Sequence, residues 1–529
     1  MRYFLISLSI VAIFTMAISI AAQPPLRIRL TPLAPKFTAA ERHTELARRR
    51  AAVAAKMVDK SMLILFSAEP RLYTNDVDYV YRQENSLYYL TALKQENAML
   101  VISKDGPTVT ETLFLPKRVP TREAWEGKMY SSEQAMNLSG LKTVVEASER
   151  NAFLQALKDK AVYSSKEGVA ITTAAETIYL LLPRTAQDEN GLREFQRENE
   201  YSKQLPGFKI ENAQPIFADL RQIKSPYELK LLQHAIDITT EAQMRSMAIV
   251  GRANWEYEVH AEVEYTFRRR NADFWGYPSI VGCGPNATTL HYVESQGPVK
   301  KGDLMLMDVG AEYDHYTADV TRTYPVNGKF TKAQAKIYQI VYDAQEAVAK
   351  ATKPGVTMAQ LGQIARDTIN SGLFTLGLVT DKNSRQVSYW FIHGLGHWLG
   401  MNVHDVGRNG IAMKAGMVFT NEPGIYIRED ALVNLPDTPE NRVFIEKVRP
   451  VFEKYKNIGV RIEDDLLVTE TGVEWMTAKL PRKISDIEAF MAVAPKQVLM
   501  SARPFKMPFN AFVDGMTAQN GVSAHKHSH

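Results

Sequence analysis

Apolar residues in the first half of the chain gather in short runs, Met62 to Phe66, Ala98 to Ile102 and Thr110 to Leu115, each bounded by polar, Gly or Pro positions. Runs of this length and composition predict buried strands. A helix precedes them: Thr38 followed by Glu41 makes a capping box for an Ala/Arg-rich stretch reaching about Lys60. Helical spacing takes over later. Ser225, Pro226 and Glu228 supply an N-cap, a first-turn proline and an N3 glutamate, after which Leu229, Leu232 and Ile236 share one face. The signature returns at Thr331 to Gln334, ahead of Ile337, Ile340, Val341, Ala344 and Val348, and again at Thr357 to Gln360. Segments of β character, Asp303 to Tyr324 and Gly459 to Thr469, lie between and after these helices. The pattern predicts an α/β unit over 37–215 and an α+β unit over 219–480. Residues 23–36 read as a proline-rich extended lead-in, and 481–529 as an extension outside the core, ending in His525, His527 and His529.

Composition narrows the chemistry. In 529 residues, 63 Lys and Arg face 59 Asp and Glu, a net charge of +4 that indicates no nucleic-acid partner. The single cysteine, Cys283, excludes an intrachain disulfide, a thiolate zinc site and an iron–sulfur cluster. A bound metal must therefore use oxygen and imidazole. At the N-terminus Tyr3 to Ala22 carry no charge and Ser19-Ile20-Ala21 has a small-x-small pattern, so 1–22 is expected to be a signal peptide and the protein exported, periplasmic or secreted. An uncleaved membrane anchor is the alternative, because an apolar run of about 20 residues spans a bilayer. No other stretch approaches that length, and no stable membrane association is expected after cleavage.

Acids and histidines cluster in the second unit. If Leu304 to Val326 folds as a hairpin turning at Tyr313-Asp314, Asp308 lies opposite Asp319, and two facing carboxylates call for a cation. His393 and His397, in HGLGH, have the i, i+4 spacing of paired ligands on a helix, although two glycines in five residues make a regular helix doubtful. His404 follows in VHDVG. Glu422 stands before the Pro423-Gly424 turn, and alternation through GVRIEDDLLVT sends Arg461, Glu463 and Asp465 to the face opposite Val460, Ile462 and Asp464. Each acid alone reads equally well as solvated or salt-bridged. Their joint occurrence argues for one site.

DVGAEYDHYTADVTRTYPV, HGLGHWLG, VHDVG, NEPGIY and RIEDD, in this order, resemble the motifs of the pita-bread metallopeptidases, the fold of methionine aminopeptidases, prolidases and aminopeptidase P. DYVYRQENSLYYLTAL, with Trp125-Glu126-Gly127 beyond it, resembles the N-terminal domain of aminopeptidase P. The resemblance implies a creatinase-like α/β N-terminal domain and an α+β pita-bread catalytic domain. It implies two divalent ions held by Asp308, Asp319, His397, Glu422 and Glu463, with Asp319 and Glu463 bridging. His291, His393 and His404 match the family's substrate-binding and proton-handling histidines, Glu422 its proton shuttle and Arg461 an arginine beside the site. Four carboxylates and one imidazole favour Mn(II), with Co(II), Fe(II) or Zn(II) as substitutes. The implied activity is release of an N-terminal residue from peptides with proline second, by a hydroxide bridging the two ions. Prolidase, restricted to dipeptides, is the runner-up, and a non-catalytic binding protein on the same fold a remote third. The resemblance also implies a homo-oligomer, dimer or tetramer. Two departures stand out: Met413-Lys414-Ala415-Gly416-Met417 replaces the usual Leu-x-Pro-Gly-Met, and Asn421 occupies a position usually Val or Ile, which is expected to unsettle the backbone beside Glu422.

Overall fold

The structure, a computed structural model, describes residues 27–500 apart from 172, 184–193 and 409. The expected export segment and the His-rich end lie outside the described residues. Helix α1 (Ala39–Lys56) begins with the predicted box: Thr38 N donates to Glu41 Oε2 at 2.8 Å, and Glu41 N to Thr38 Oγ1 at 3.2 Å. The chain then enters β1 (Ser61–Phe66) and, after the short α2 (Asn85–Thr91), the hairpin β2 (Met99–Asp105) and β3 (Thr108–Leu115). With β4 (Thr143–Glu146), β5 (Thr177–Leu180) and β6 (Lys209–Asn212) these form a mixed six-stranded sheet ordered β6-β5-β1-β2-β3-β4. Met62 and Ile64 enter one apolar cluster and Leu63 and Leu65 another, so both faces are covered, which is why the run is unbroken rather than alternating.

The second of these clusters also takes in Leu231, Leu232, Ala235, Ile236 and Tyr316, so the two units share a core. Helix α3 (Gln214–Arg221) runs across the border expected between 215 and 219. Polar contacts reinforce the junction. Arg82 Nη2 reaches Glu312 and the Met401 carbonyl, each at 2.8 Å, and Asn85 Nδ2 donates to Asn402 Oδ1 at 2.7 Å. Tyr88 donates to Asp314 and stacks on His315 at 3.7 Å between centroids. The first unit thus grips one end of the hairpin that carries two of the predicted ligands.

The second unit is built on the long α4 (Pro226–Ile249), with α5 (Glu256–Arg269) after it. Strand β7 (Ile280–Cys283) pairs with β8 (Leu304–Val309), and β8 with β11 (Val320–Pro325); the short strands β9 (Ala311–Tyr313) and β10 (Tyr316–Thr317) extend the hairpin. The capping boxes at Thr331 and Thr357 open α6 (Lys332–Ala351) and α7 (Met358–Leu376) as expected. Strands β12 (Val418–Asn421) and β13 (Gly424–Ile427), helix α8 (Pro439–Tyr455), and strands β14 (Ile458–Arg461) and β15 (Asp464–Val468) complete the unit, with β12 paired to β15 and β13 to β14.

Two expectations are corrected. The hairpin turns at Asp314-His315, both at positive φ (51° and 68°), rather than at Tyr313-Asp314. Asp308 therefore faces Thr321, and the same register puts Asp319 opposite Gly310. A slip of two residues keeps the facing that a slip of one would reverse, so both aspartates still point the same way. The stretch after Pro481 does not all lie outside the core: α9 (Ile484–Met500) buries Ile487, Phe490, Met491 and Ala494, spaced as one helical face, in the main core cluster.

Candidate metal centre

All nine predicted site residues line one cleft of about 560 Å³. Asp308 and Asp319 come from neighbouring ends of the hairpin, Glu422 from the turn between β12 and β13, Arg461 from the end of β14, and Glu463 from the break before β15. The alternation from 460 to 465 holds. Arg461 and Glu463 face the cleft and Asp465 Oδ2 accepts from the backbone N of Asp319 at 3.3 Å, whereas Asp464 turns away to pair with the buried Arg322 at 2.5 Å.

HGLGH is not helical. Its second half runs extended beside β12, with Thr420 N donating to His397 O at 3.0 Å and Glu422 N to Leu395 O at 3.0 Å. The glycine explains the approach: a Cβ on Gly396 would lie 1.9 Å from Thr420 O. His397 Nδ1 lies 3.2 Å from its neighbour's carbonyl, Trp398 O. In the ion-free cluster Nε2 faces Asp319 Oδ2, 3.2 Å away, and Glu422 Oε1, 3.4 Å away; with Nδ1 donating to Trp398 O, Nε2 is the nitrogen that a metal ion would take on losing its proton. Asn421 does not loosen the adjoining strand. Its side-chain Nδ2 donates to Gln345 O and its backbone carbonyl accepts from Gln345 Nε2, both at 3.0 Å, which ties β12 to α6. Gly416, at φ +86°, supplies the turn ahead of β12 without the usual proline.

Electrostatics make the cluster unstable as a set of free carboxylates. Burial, with Asp308 nearby, pushes Asp319 up to about 6. Burial and Asp319, against the pull of His397, push Glu422 up to about 7, and Glu463 is raised well above the usual range by burial, Asp319 and Glu422. Burial also opposes ionisation of Asp308, but Arg461 and Tyr277 outweigh it and hold that group below its ordinary value. His397 is raised to about 9: burial alone would lower it, and Asp319 and Glu422 reverse the sign. Ligand atoms of Asp319, His397 and Glu463 all lie within 4.8 Å of one another. Buried acids forced together around an imidazole, whose proton now stands where a cation would, fit divalent cations.

The remaining predicted residues surround this group. Arg461 spans it, donating to Asp308 Oδ2 at 2.6 Å, Tyr426 Oη at 2.7 Å and Thr321 Oγ1 at 3.1 Å. His393 Nε2 lies 2.8 Å from Tyr426 Oη, and burial together with Arg461 lowers its pKa to about 4. His404 packs edge-on against His397, 4.2 Å between centroids, and partial burial and that neighbour lower it to about 4 as well. His291 stands on an exposed loop at the cleft wall. Several participants have no readable spacing in the sequence. Tyr277 Oη lies 2.5 Å from both Asp308 Oδ1 and Asp319 Oδ1, Thr321 donates to Glu463 at 2.6 Å, and Thr420 to Glu422 at 3.1 Å. Thr321 lies within the hairpin motif and Thr420 directly precedes NEPGIY, so adjacency to the motifs was the available signal for these two, whereas Tyr277 is brought in by the fold alone.

Residues 230–470 match the profile of metallopeptidase family M24, and residues 46–163 that of the aminopeptidase P N-terminal domain. The Xaa-Pro aminopeptidase of Haemophilus influenzae is 35% identical over 462 residues, covering 84% of this chain and 97% of its own length. The chain belongs to metallopeptidase family M24. The Xaa-Pro aminopeptidase of Escherichia coli is 34% identical, covering 86% of this chain and 98% of its own. The solved aminopeptidase P from E. coli with the inhibitor Pro-Leu superposes with a TM-score of 0.73 at 32% identity, over 88% of this M24 chain and all of that one. A zinc-substituted form of the same E. coli enzyme in complex with product gives 0.72. The two-unit architecture, creatinase-like α/β followed by pita-bread α+β, is therefore an aminopeptidase P N-terminal domain joined to an M24 catalytic domain.

Proposed function

We propose that this chain is a metal-dependent Xaa-Pro aminopeptidase, removing the first residue of peptides whose second residue is proline. The observation that carries it is the meeting of Asp308, Asp319, His397, Glu422 and Glu463 in one cleft beside three further histidines and an arginine. Those five would hold two divalent ions, and the oxygen-rich donor set favours Mn(II), with Co(II), Fe(II) or Zn(II) as substitutes. When bound, such a pair supplies an activated water and polarises the scissile carbonyl. The chain's own groups do the rest. Glu422, with its carboxylate in the cleft and a hydrogen bond from Thr420 Oγ1, carries a proton toward the leaving nitrogen. His404, kept neutral, donates to the oxygen on which charge develops. The proline nitrogen offers no N–H to read, so the ring is recognised by shape. Pro278, Ile280, Leu290 and Val293 give the cleft an apolar wall beside His291 and His393, and Tyr426 with Arg461 fixes the orientation of the His393 ring.

The deciding assay compares an Xaa-Pro dipeptide with an Xaa-Pro-Xaa tripeptide on Mn(II)-loaded protein. Cleavage of the dipeptide alone means a prolidase and refutes the reading. No bound metal and no turnover with any divalent ion means a binding protein. Export rests on the uncharged Tyr3 to Ala22 run; recovery of the protein from the cytoplasmic fraction with that run intact sinks it, whereas an intact run in the membrane fraction means the anchored form. A dimer or tetramer is supported by Leu72, Tyr73, Tyr79 and Val80, all exposed on and just after the short antiparallel pair Leu72–Thr74 and Val77–Asp78. Sedimentation as a monomer at micromolar concentration excludes it.

A further inference from the structure

The loop carrying His291 has a support of its own, away from the metal ligands. Residues 290–297 lie in turn and coil, with His291 and Val293 exposed, yet Leu290, His291 and Val293 form one wall of the cleft. Behind them sits Glu256, the first residue of α5, fully buried. Its Oε1 accepts from the backbone N of Cys283 at 2.6 Å and from Asn286 Nδ2 at 3.0 Å. Its Oε2 accepts from the backbone N of Gly297 at 2.6 Å and from Tyr292 Oη at 2.8 Å. The four donors come from both ends and the middle of the loop. Glu256 N closes the frame by donating to Gly297 O at 3.0 Å. The packing leaves no slack, since a Cβ on Gly297 would lie 2.3 Å from Asn286 Nδ2 and 2.8 Å from both Glu256 oxygens.

We infer that Glu256 is a positioning residue of the M24 cleft: its buried carboxylate pins the 283–297 loop and so sets where His291, Leu290 and Val293 meet the substrate. The inference rests on the reading of His291 as a substrate contact. A carboxylate is required because it offers acceptors on both oxygens. In Glu256→Gln the new amide must replace one oxygen. In either orientation it faces a backbone N–H, of Cys283 or of Gly297, and neither can reverse its polarity. The loop must then shift, and an ångström-scale misplacement of a substrate contact costs up to about 10²-fold.

The experiment is a double-mutant cycle on metal-loaded protein, reading kcat and KM for an Xaa-Pro-Xaa tripeptide, with metal content measured for each variant. Glu256→Gln is expected to raise KM by about tenfold or more with kcat changed less and metal content unaltered. On a His291→Ala background it is expected to add no more than about twofold, because both changes disable one contact. Full multiplication of the two effects, with His291→Ala itself impaired, overturns the inference while leaving His291 as a contact. If His291→Ala alone leaves kcat/KM unaltered, the reading of His291 falls and the inference with it. Should Glu256→Gln fail to fold, Tyr292→Phe removes one of the four donors and is expected to raise KM in the same direction by a smaller factor; an unchanged KM there overturns the proposal.

Discussion

Gly394 and Gly396 stand two positions apart in HGLGH, yet alanine is expected to be harmless at the first and ruinous at the second. A Cβ on Gly394 meets nothing within 4 Å. On Gly396 it lies 1.9 Å from Thr420 O and 2.8 Å from Thr420 Oγ1. A carbon and a carbonyl oxygen need about 3.3 Å, so the two backbones must part by about 1.4 Å. That movement stretches Thr420 N to His397 O, now 3.0 Å, and His397 N to Thr420 Oγ1, now 3.1 Å. Two such bonds at about 0.5–1.5 kcal/mol each, with about 1–3 kcal/mol of overpacking, give a destabilisation of about 2–6 kcal/mol. The same shift carries His397 Nε2 out of register with Asp319 and Glu422, and about 10²-fold of activity is expected to go with it. The assay is threefold on both variants: denaturant unfolding, Mn(II) titration and kcat/KM on a tripeptide. If Gly396→Ala keeps parental metal affinity, and activity within about twofold, the claim that this close approach holds the imidazole in place is refuted.

Metal removal has a proton signature. In the ion-free cluster burial and mutual repulsion push Asp319 and Glu422 up to about 6 and 7, and those acids raise His397 to about 9, so rebinding at pH 6 must release protons, and affinity must weaken progressively as pH falls from 9 through 6; calorimetry in buffers of different ionisation enthalpy that shows no release contradicts this. Tyr426→Phe removes the hydroxyl shared by His393 and Arg461, a charged hydrogen bond of about 1.5–3 kcal/mol, so kcat/KM is expected to fall roughly 10- to 150-fold with metal content unchanged. Parental activity in that variant counts against His393 as a substrate wall. Glu241 is depressed to about 2 because Arg270, Thr31 and Arg245 outweigh its burial, so it contributes stability above about pH 4.5 that is lost as pH falls toward 2, up to about 3 kcal/mol. Unfolding free energies measured between pH 5 and 3 should fall less steeply in Glu241→Gln; parallel curves would exclude the assignment.

The residues alone pointed to one site rich in acids and histidines, since several such side chains fall within short motifs of the second unit; which of them are ligands was legible only through the family that those motifs resemble. Helix starts were legible locally, since capping boxes at Thr38, Ser225, Thr331 and Thr357 are completed within four residues. Hairpin register was not. Tyr313-Asp314 and Asp314-His315 are both acceptable turns by local preference, and the choice falls with the second unit's contacts to Tyr88 and Arg82, more than 200 residues away in the chain. The apolar face of α9, Ile487, Phe490, Met491 and Ala494, has helical spacing in the sequence, but only the tertiary structure places it in the main core.

What the sequence by itself determined, then, is the inventory: no thiol chemistry, five acid and imidazole ligands in order, and the family they resemble. What only the tertiary structure decided is which single residues complete that inventory. Tyr277 between two aspartates, Tyr426 between His393 and Arg461, and Glu256 behind the His291 loop each act across a gap of 27 to 42 residues, where no period of helix or strand relates donor to acceptor. Their positions follow from packing two units around a shared core, and packing is a property of the whole chain rather than of any window along it.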